Sequence, residues 1–226
     1  MGRKGRRKQV EHKERKIVSV NVGLPAAVRH GSQTVMTGIF KYPSEGAVRL
    51  GRTGPDGDGQ ADLKHHGGPD KAVCAYSGHH YPEWEQRLER QLGWGAFGEN
   101  LTLSGMDEEA VVIGDRYRCG QALLEVSQPR QPCFKLGLRH EEPQLTLWVQ
   151  QSGRTGYYFR VVEEGEAAAG MELSLEHRPA HGMTVAEANR IYYTAKKDAQ
   201  AIRELLVVPE LADSWRTVLS SRLESL

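Results

Sequence analysis

The sequence predicts a mainly β fold with some α: one β-rich core domain followed by a small module of three helices. Three observations carry this reading. Short β-branched, alternating runs recur between residues 16 and 178. The length, 226 residues, suits one generous domain plus an appendage. At Pro179 the apolar spacing changes from that of strands to that of helices.

Residues 1 to 16, MGRKGRRKQVEHKERK, carry eight Lys or Arg and almost nothing to bury. Such a stretch cannot offset the entropy of ordering, so a disordered leader is expected. KIVSVNVG (16–23) and TVMTGIFK (34–41) then read as strands. Residues 51–68, GRTGPDGDGQADLKHHGG, hold six glycines among polar residues and read as a long irregular loop, a place where function concentrates. KAVCAYS (71–77) reads as a buried strand. In YPEWEQRLERQL (81–92) Pro82 suits an early helical turn, and Trp84, Leu88 and Leu92 share one face. His79 and His80, just before it, read as cap or surface residues.

Arg116–Cys119 and Ala122–Val126 flank a GQ turn, predicting a hairpin whose second strand feeds into SQPRQPC (127–133). QLTLWVQQSG (144–153) reads as a helix, and GYYFRVVEEG and GMELSLEHR as the last strands of the core, which spans 17–178. Beyond it, over 179–226, Thr184 and Glu187 form a capping box ahead of Val185, Ala188, Ile191, Tyr192 and Ala195. Asp198 caps a second helix with Ile202, Leu205 and Leu206. A third follows Pro209 with Leu211, Trp215, Val218 and Leu219.

Composition narrows the function. The formal net charge of +1 demands no polyanionic partner, so a nucleic-acid role would have to be local to the leader. Three cysteines without a CxxC pair argue against a disulfide framework and a structural zinc site, and suit a reducing cytoplasm. No apolar run reaches the roughly 18 residues that a membrane span needs. Walker, GxSxG and HExxH patterns are missing, and no GxGxxG follows a strand.

Three constellations remain. Cys133 follows a proline and stands near Arg130 and Lys135. Cations beside a thiol favour its thiolate, the form that attacks or binds metal; a packed sulfur is the alternative. Cys74, inside an apolar strand, and Cys119, beside a turn glycine, read as packed sulfurs. In KHHGGPDKAV (64–73), His65 and His66 would point to opposite faces of an extended chain, so both cannot serve one metal ion, although one can face a pocket. Gly67 and Gly68 permit close backbone approach to a ligand, while Lys64 and Lys71 could neutralise a phosphate. In GAFGENLTL (95–103), Asn100 can both donate and accept, whereas ionised Glu99 only accepts; a turn using Asn and Gly for backbone reasons is an equal reading.

Together the segments GDGQADLKHHGGPDKAV, GAFGENLTL, IGDRYRCG, EVSQPRQPCFKL and SGRTGYYFRV resemble a MOSC domain of the stand-alone bacterial YiiM-like branch. The resemblance runs from about Lys16 to Glu176, and the helices from Met183 resemble that branch's three-helix extension. It implies a MOSC-type β-barrel core holding the molybdenum cofactor, a molybdopterin, with Cys133 as the protein ligand to molybdenum. Lys41, His65, His66, Gly67, Lys71, Glu99, Asn100 and Arg130 then look like cofactor-binding residues. The implied activity is two-electron reduction of N-hydroxylated compounds, N-hydroxylated nucleobases such as 6-N-hydroxylaminopurine included, to the parent amine or amide. Electrons would come from a separate reductase, because no flavin, iron–sulfur or nicotinamide site is legible. A homodimer is compatible with this reading. Phe134 departs from the tryptophan expected in many relatives, which bears on substrate fit. The alternatives are a sulfur carrier with a persulfide on Cys133, and a binding module whose leader contacts nucleic acid.

Overall fold

A computed structural model describes residues 14–62 and 67–226. Its centre is a mixed eight-stranded sheet curled into a half-barrel. In sheet order the strands are β13 (Ser174–His177), β9 (Arg116–Cys119), β10 (Ala122–Pro129), β11 (Tyr157–Glu163), β7 (Val73–Ser77), β8 (Leu101–Ser104), β1 (Lys16–Val22) and β4 (Tyr42–Pro43). Among the described residues only β7 and β8 run parallel. β7 and β10 are buried along their whole lengths, which explains why KAVCAYS is a continuous apolar run rather than an alternating one. A smaller sheet joins β12 (Gly165–Ala167), β5 (Val48–Gly51) and β6 (Gly54–Pro55), while β2 (Ala26–His30) and β3 (Gln33–Thr37) form a hairpin of their own.

The β9–β10 hairpin turns at Gly120 as expected. Against β11, β10 slips register between Leu123 and Leu124 and again between Val126 and Gln128. Such bulges bend a strand and re-aim the chain beyond it, here the segment leading to Cys133.

Helix α1 (Tyr81–Leu88) is shorter than the 81–92 pattern predicts. Glu89 adopts the left-handed conformation (φ 53°), and the Glu85 carboxylate accepts from the Leu92 amide, which closes the helix early. The 34–41 strand likewise stops at Thr37. A side chain on Gly38 would collide with the Gly59 carbonyl, and Lys41 turns inward. Helix α2 (Phe134–His140), directly after Cys133, and strands β2, β5, β6 and β12 were not foreseen. Helix α3 (Leu145–Ser152) ends at Gly153 (φ 73°). Of the expected leader, residues up to 13 lie outside the described set, Arg15 receives a backbone bond from Leu173 (2.9 Å), and Lys16 already belongs to β1.

The C-terminal helices α4 (Val185–Tyr193), α5 (Ala199–Leu206) and α6 (Asp213–Glu224) form with the foreseen caps: Thr184 accepts from the Glu187 amide (3.1 Å) and Asp198 from the Ala201 amide (3.0 Å). Their apolar residues join one cluster with the sheet, although Val218, expected in the stripe, is 40 % exposed. A second cluster of Tyr76, Tyr81, Trp84, Phe97, Leu136, Leu145 and Val149 seats α1, α2 and α3 beside β7. His80, read from sequence as cap or surface, is instead buried, with Nε2 2.7 Å from Glu108 Oε2. Among the described residues no helix is long and apolar enough to cross a membrane.

Candidate functional site

Where β10 ends, its chain enters a cavity of about 580 Å³, open mouth included. Cys133 occupies the capping position of α2 in extended conformation (φ −121°, ψ 165°) and is partly exposed. Its carbonyl accepts from the Leu136 amide (3.0 Å) and the Thr146 hydroxyl (3.0 Å), so the backbone at the thiol is fixed between α2 and α3. Leu136, buried in the aromatic cluster, anchors the first turn behind it.

Arg130 lies in the same wall and is 5 % exposed. Its amide donates to Gly156 (2.9 Å). Gly156 has φ +74°, and a side chain there would strike the Ala75 carbonyl, so only glycine lets the chain seat Arg130 at this depth. The guanidinium Nη1 is buried without a hydrogen-bond partner. Burial works to lower the Arg130 pKa, but Cys74, Tyr158, Cys133 and Glu99 more than compensate and hold it above its ordinary value.

Cys74 also lines the cavity, yet burial pushes its thiol up to about 11 against the pull of Arg130. It stays protonated. Burial likewise raises Cys119, away from the cavity. Of the three thiols, Cys133 alone joins partial exposure to a cationic neighbourhood. Lys71 and Lys135 supply further positive charge, and burial draws the Lys71 pKa down against Asp70 and Asp62.

The other sequence-derived candidates divide. Lys41 lines the cavity but is bound to Asp58, and both side chains are almost fully buried. Asp58 Oδ1 also accepts from the Gly23 amide (3.0 Å) and Oδ2 from Asn100 Nδ2 (3.0 Å). Asn100 faces the cavity, and its amide is committed to the frame: Oδ1 accepts from the Cys74 amide (3.0 Å), while Nδ2 also reaches the Asn21 carbonyl (3.2 Å). Glu99 is fully buried and does not line the cavity. Its carboxylate gathers the amides of Gly95 and Phe97 and the hydroxyls of Tyr81 and Thr102, which shapes the turn that presents Gly98 and Asn100. Gly67 is described but is not part of the wall. Lys64, His65 and His66 lie outside the described residues.

Sequence reasoning missed two residues that build the site. Asp58 stood in plain view in the DGDG run without a partner to give it meaning. Arg139 could not be found while α2 was unpredicted. It reaches from that helix to the carbonyls of Gly95 (2.6 Å), Lys41 (3.2 Å) and Ile39, tying two segments around the cavity to the Cys133 helix.

Residues 62–174 match the MOSC domain, and residues 183–226 match the YiiM-like 3-alpha helix domain. The chain belongs to the MOSC family, YiiM branch. It is 47 % identical to YflK of Bacillus subtilis (strain 168) over 210 residues, 93 % of this chain and 95 % of that one. The crystal structure of YiiM from Geobacillus stearothermophilus superposes with a TM-score of 0.79 at 39 % identity, covering 92 % of this chain and 99 % of that one. A protein of Gibberella moniliformis (strain M3125 / FGSC 7600) named Reductase is 35 % identical over 195 residues, 84 % of this MOSC chain but only 34 % of that protein. Membership in this family is consistent with redox chemistry. Among the described residues no three His, Cys, Asp or Glu side chains converge on a metal position.

Proposed function

We propose that the chain reduces N-hydroxylated compounds, N-hydroxylated nucleobases among them, with the molybdenum cofactor held in the Cys133 cavity. The observation that carries this reading is the unpartnered Nη1 of Arg130, buried in the wall shared with Cys133. A buried donor without an acceptor is costly, so the cavity is built for an anionic group to complete it. The donor set fits the cofactor. Cys133 offers one soft sulfur for molybdenum, whose remaining donors come from its own organic ligand, so no protein metal cage is needed. Arg130, Lys71 and Lys135 offer charge for a phosphate, and Arg130 can do so bidentately. Lys41 and Asn100 belong to the proposed wall and Glu99 to its frame, and the proposal keeps His65, His66 and Gly67 as cofactor-binding residues on the family resemblance alone.

When bound, the cofactor supplies the two electrons for R–NHOH + 2 e⁻ + 2 H⁺ → R–NH₂ + H₂O. The chain's residues supply binding, orientation and electrostatics. Arg139 and the Asp58 network hold the loops around the cavity, and the phenol of Tyr158, raised in pKa chiefly by burial, stays protonated in its wall. Electrons come from a separate reductase in the cytoplasm. The Gibberella protein named Reductase is compatible with this, since about two thirds of its length lies beyond the match.

The test is molybdenum and pterin content per chain after expression in a cofactor-making host. About one molybdenum per chain in the wild type, lost in Cys133→Ser, together with reduction of an N-hydroxylated base by a reconstituted donor, is expected. Metal and pterin both absent, with labile sulfur released from Cys133 by reductant, would replace this reading with the sulfur carrier.

A further inference from the structure

Phe134 directly follows Cys133, and its ring is 54 % exposed. It leans on the exposed imidazole of His30, with centroids 6.1 Å apart and planes at 43°. His30 stands at the tip of the β2–β3 hairpin, which pairs with no other described strand, while Thr37, Gly38 and Ile39 at its base line the cavity. The hairpin therefore carries an aromatic group from the cavity wall to the residue beside the thiol.

The surroundings are apolar too. Met36 (51 % exposed) adjoins Thr37, Tyr42 (62 %) adjoins Lys41, and Leu24 (70 %) packs beside Gly59; Thr37, Lys41 and Gly59 all line the cavity. Aromatic faces prefer a further ring, offset or edge-on at 4.5–7 Å.

We infer that Phe134 and His30 form a ring-holding contact at the cavity mouth, which selects planar ring substrates over non-planar ones. This rests on the proposed reductase reading for the reaction, while the contact itself can be read by binding alone. The pair is a specificity contact, and Cys133 remains the metal ligand.

The experiment titrates adenine, a planar ring that cannot be reduced at nitrogen here, into holoenzyme by calorimetry, with Phe134→Leu, Phe134→Trp and His30→Ala alongside. Binding weakened about tenfold in Phe134→Leu and His30→Ala but retained in Phe134→Trp is expected, the size of one stacking contact. With the same proteins, the ratio of kcat/KM for an N-hydroxylated purine to that for N-hydroxycyclohexylamine should fall about tenfold in Phe134→Leu. Wild type that does not bind adenine, or variants that bind it as well as wild type does, overturn the inference. Variant-sensitive adenine binding without turnover of either hydroxylamine would support the contact and overturn the reductase reading.

Discussion

Replacing Asp58 by alanine strands Lys41. In the native protein the Asp58 side chain is 1 % exposed and that of Lys41 7 %, so neither charge has water to fall back on. The carboxylate also serves the Gly23 amide and the Asn100 side chain. Removing one member of a buried ion pair costs about 3–5 kcal/mol, because the other is left uncompensated. For a domain of this size that is roughly 6–20 °C in Tm. Urea unfolding followed by far-UV circular dichroism reads the loss directly. The double variant Asp58→Asn with Lys41→Met should recover at least half of it, since Asn keeps an acceptor for Gly23 and the buried charge is gone. A loss below about 1 kcal/mol in Asp58→Ala would show that the pair is solvated and that the argument for a dry, neutralised Lys41 is wrong.

The same geometry supports three further predictions. Arg139→Met leaves the carbonyls of Ile39, Gly95 and Lys41 without their donor, and should cost about 3 kcal/mol in urea while raising proteolysis in the 38–62 segment. Cys133→Ser should stay within about 1 kcal/mol of wild type by the same assay, because the partly exposed thiol is not part of the packed core. Burial lowers the His140 pKa to about 4, with Nε2–H donating to the Ala96 carbonyl (2.8 Å) and Nδ1 accepting from Arg90 (3.1 Å). The unfolded chain, with an ordinary histidine, therefore takes up the proton first, and stability should fall as pH drops from about 6.5 to about 4, by about 3 kcal/mol at most. In His140→Gln that part of the slope should vanish from urea midpoints measured across the window.

Much of the frame was legible because it rests on local signals. The Gly120 turn, the Thr184 and Asp198 caps and the unbroken apolar run of β7 each announce themselves within a few residues. The prolines and charges beside Cys133 set it apart from the two packed thiols in the same local way, and it lines the cavity, partly exposed. The features that stayed hidden depend on partners far along the chain. Helix α2 is short and held by Leu136 entering an aromatic cluster and Arg139 reaching carbonyls some 44 to 100 residues away. Glu99 and Asn100 look like ligand readers in sequence, yet their hydrogen bonds run to the backbone, the hydroxyls and the Asp58 carboxylate of their own frame. His80 misled in the opposite direction, since its position before a helix suggested solvent while Glu108, 28 residues on, draws it inside.

The start of α6 has a consequence for anyone who would move this site elsewhere. The Ala212 amide donates to the Ser127 carbonyl (3.1 Å), the Ser214 hydroxyl to Gln128 (3.1 Å), and the Asp213 amide to Asp70 (3.3 Å). Ser127 in turn donates to the Asp70 carbonyl (2.5 Å), and Arg160 bridges Asp70 and the Glu210 carbonyl. The two strands of chain that deliver Arg130 and Lys71 to the cavity are thus clasped together from behind by a helix that never touches it. A transplant of the β-sheet core, or a chimera between relatives, inherits the cavity intact only if Gln128, Asp70 and the first turn of α6 travel as one piece.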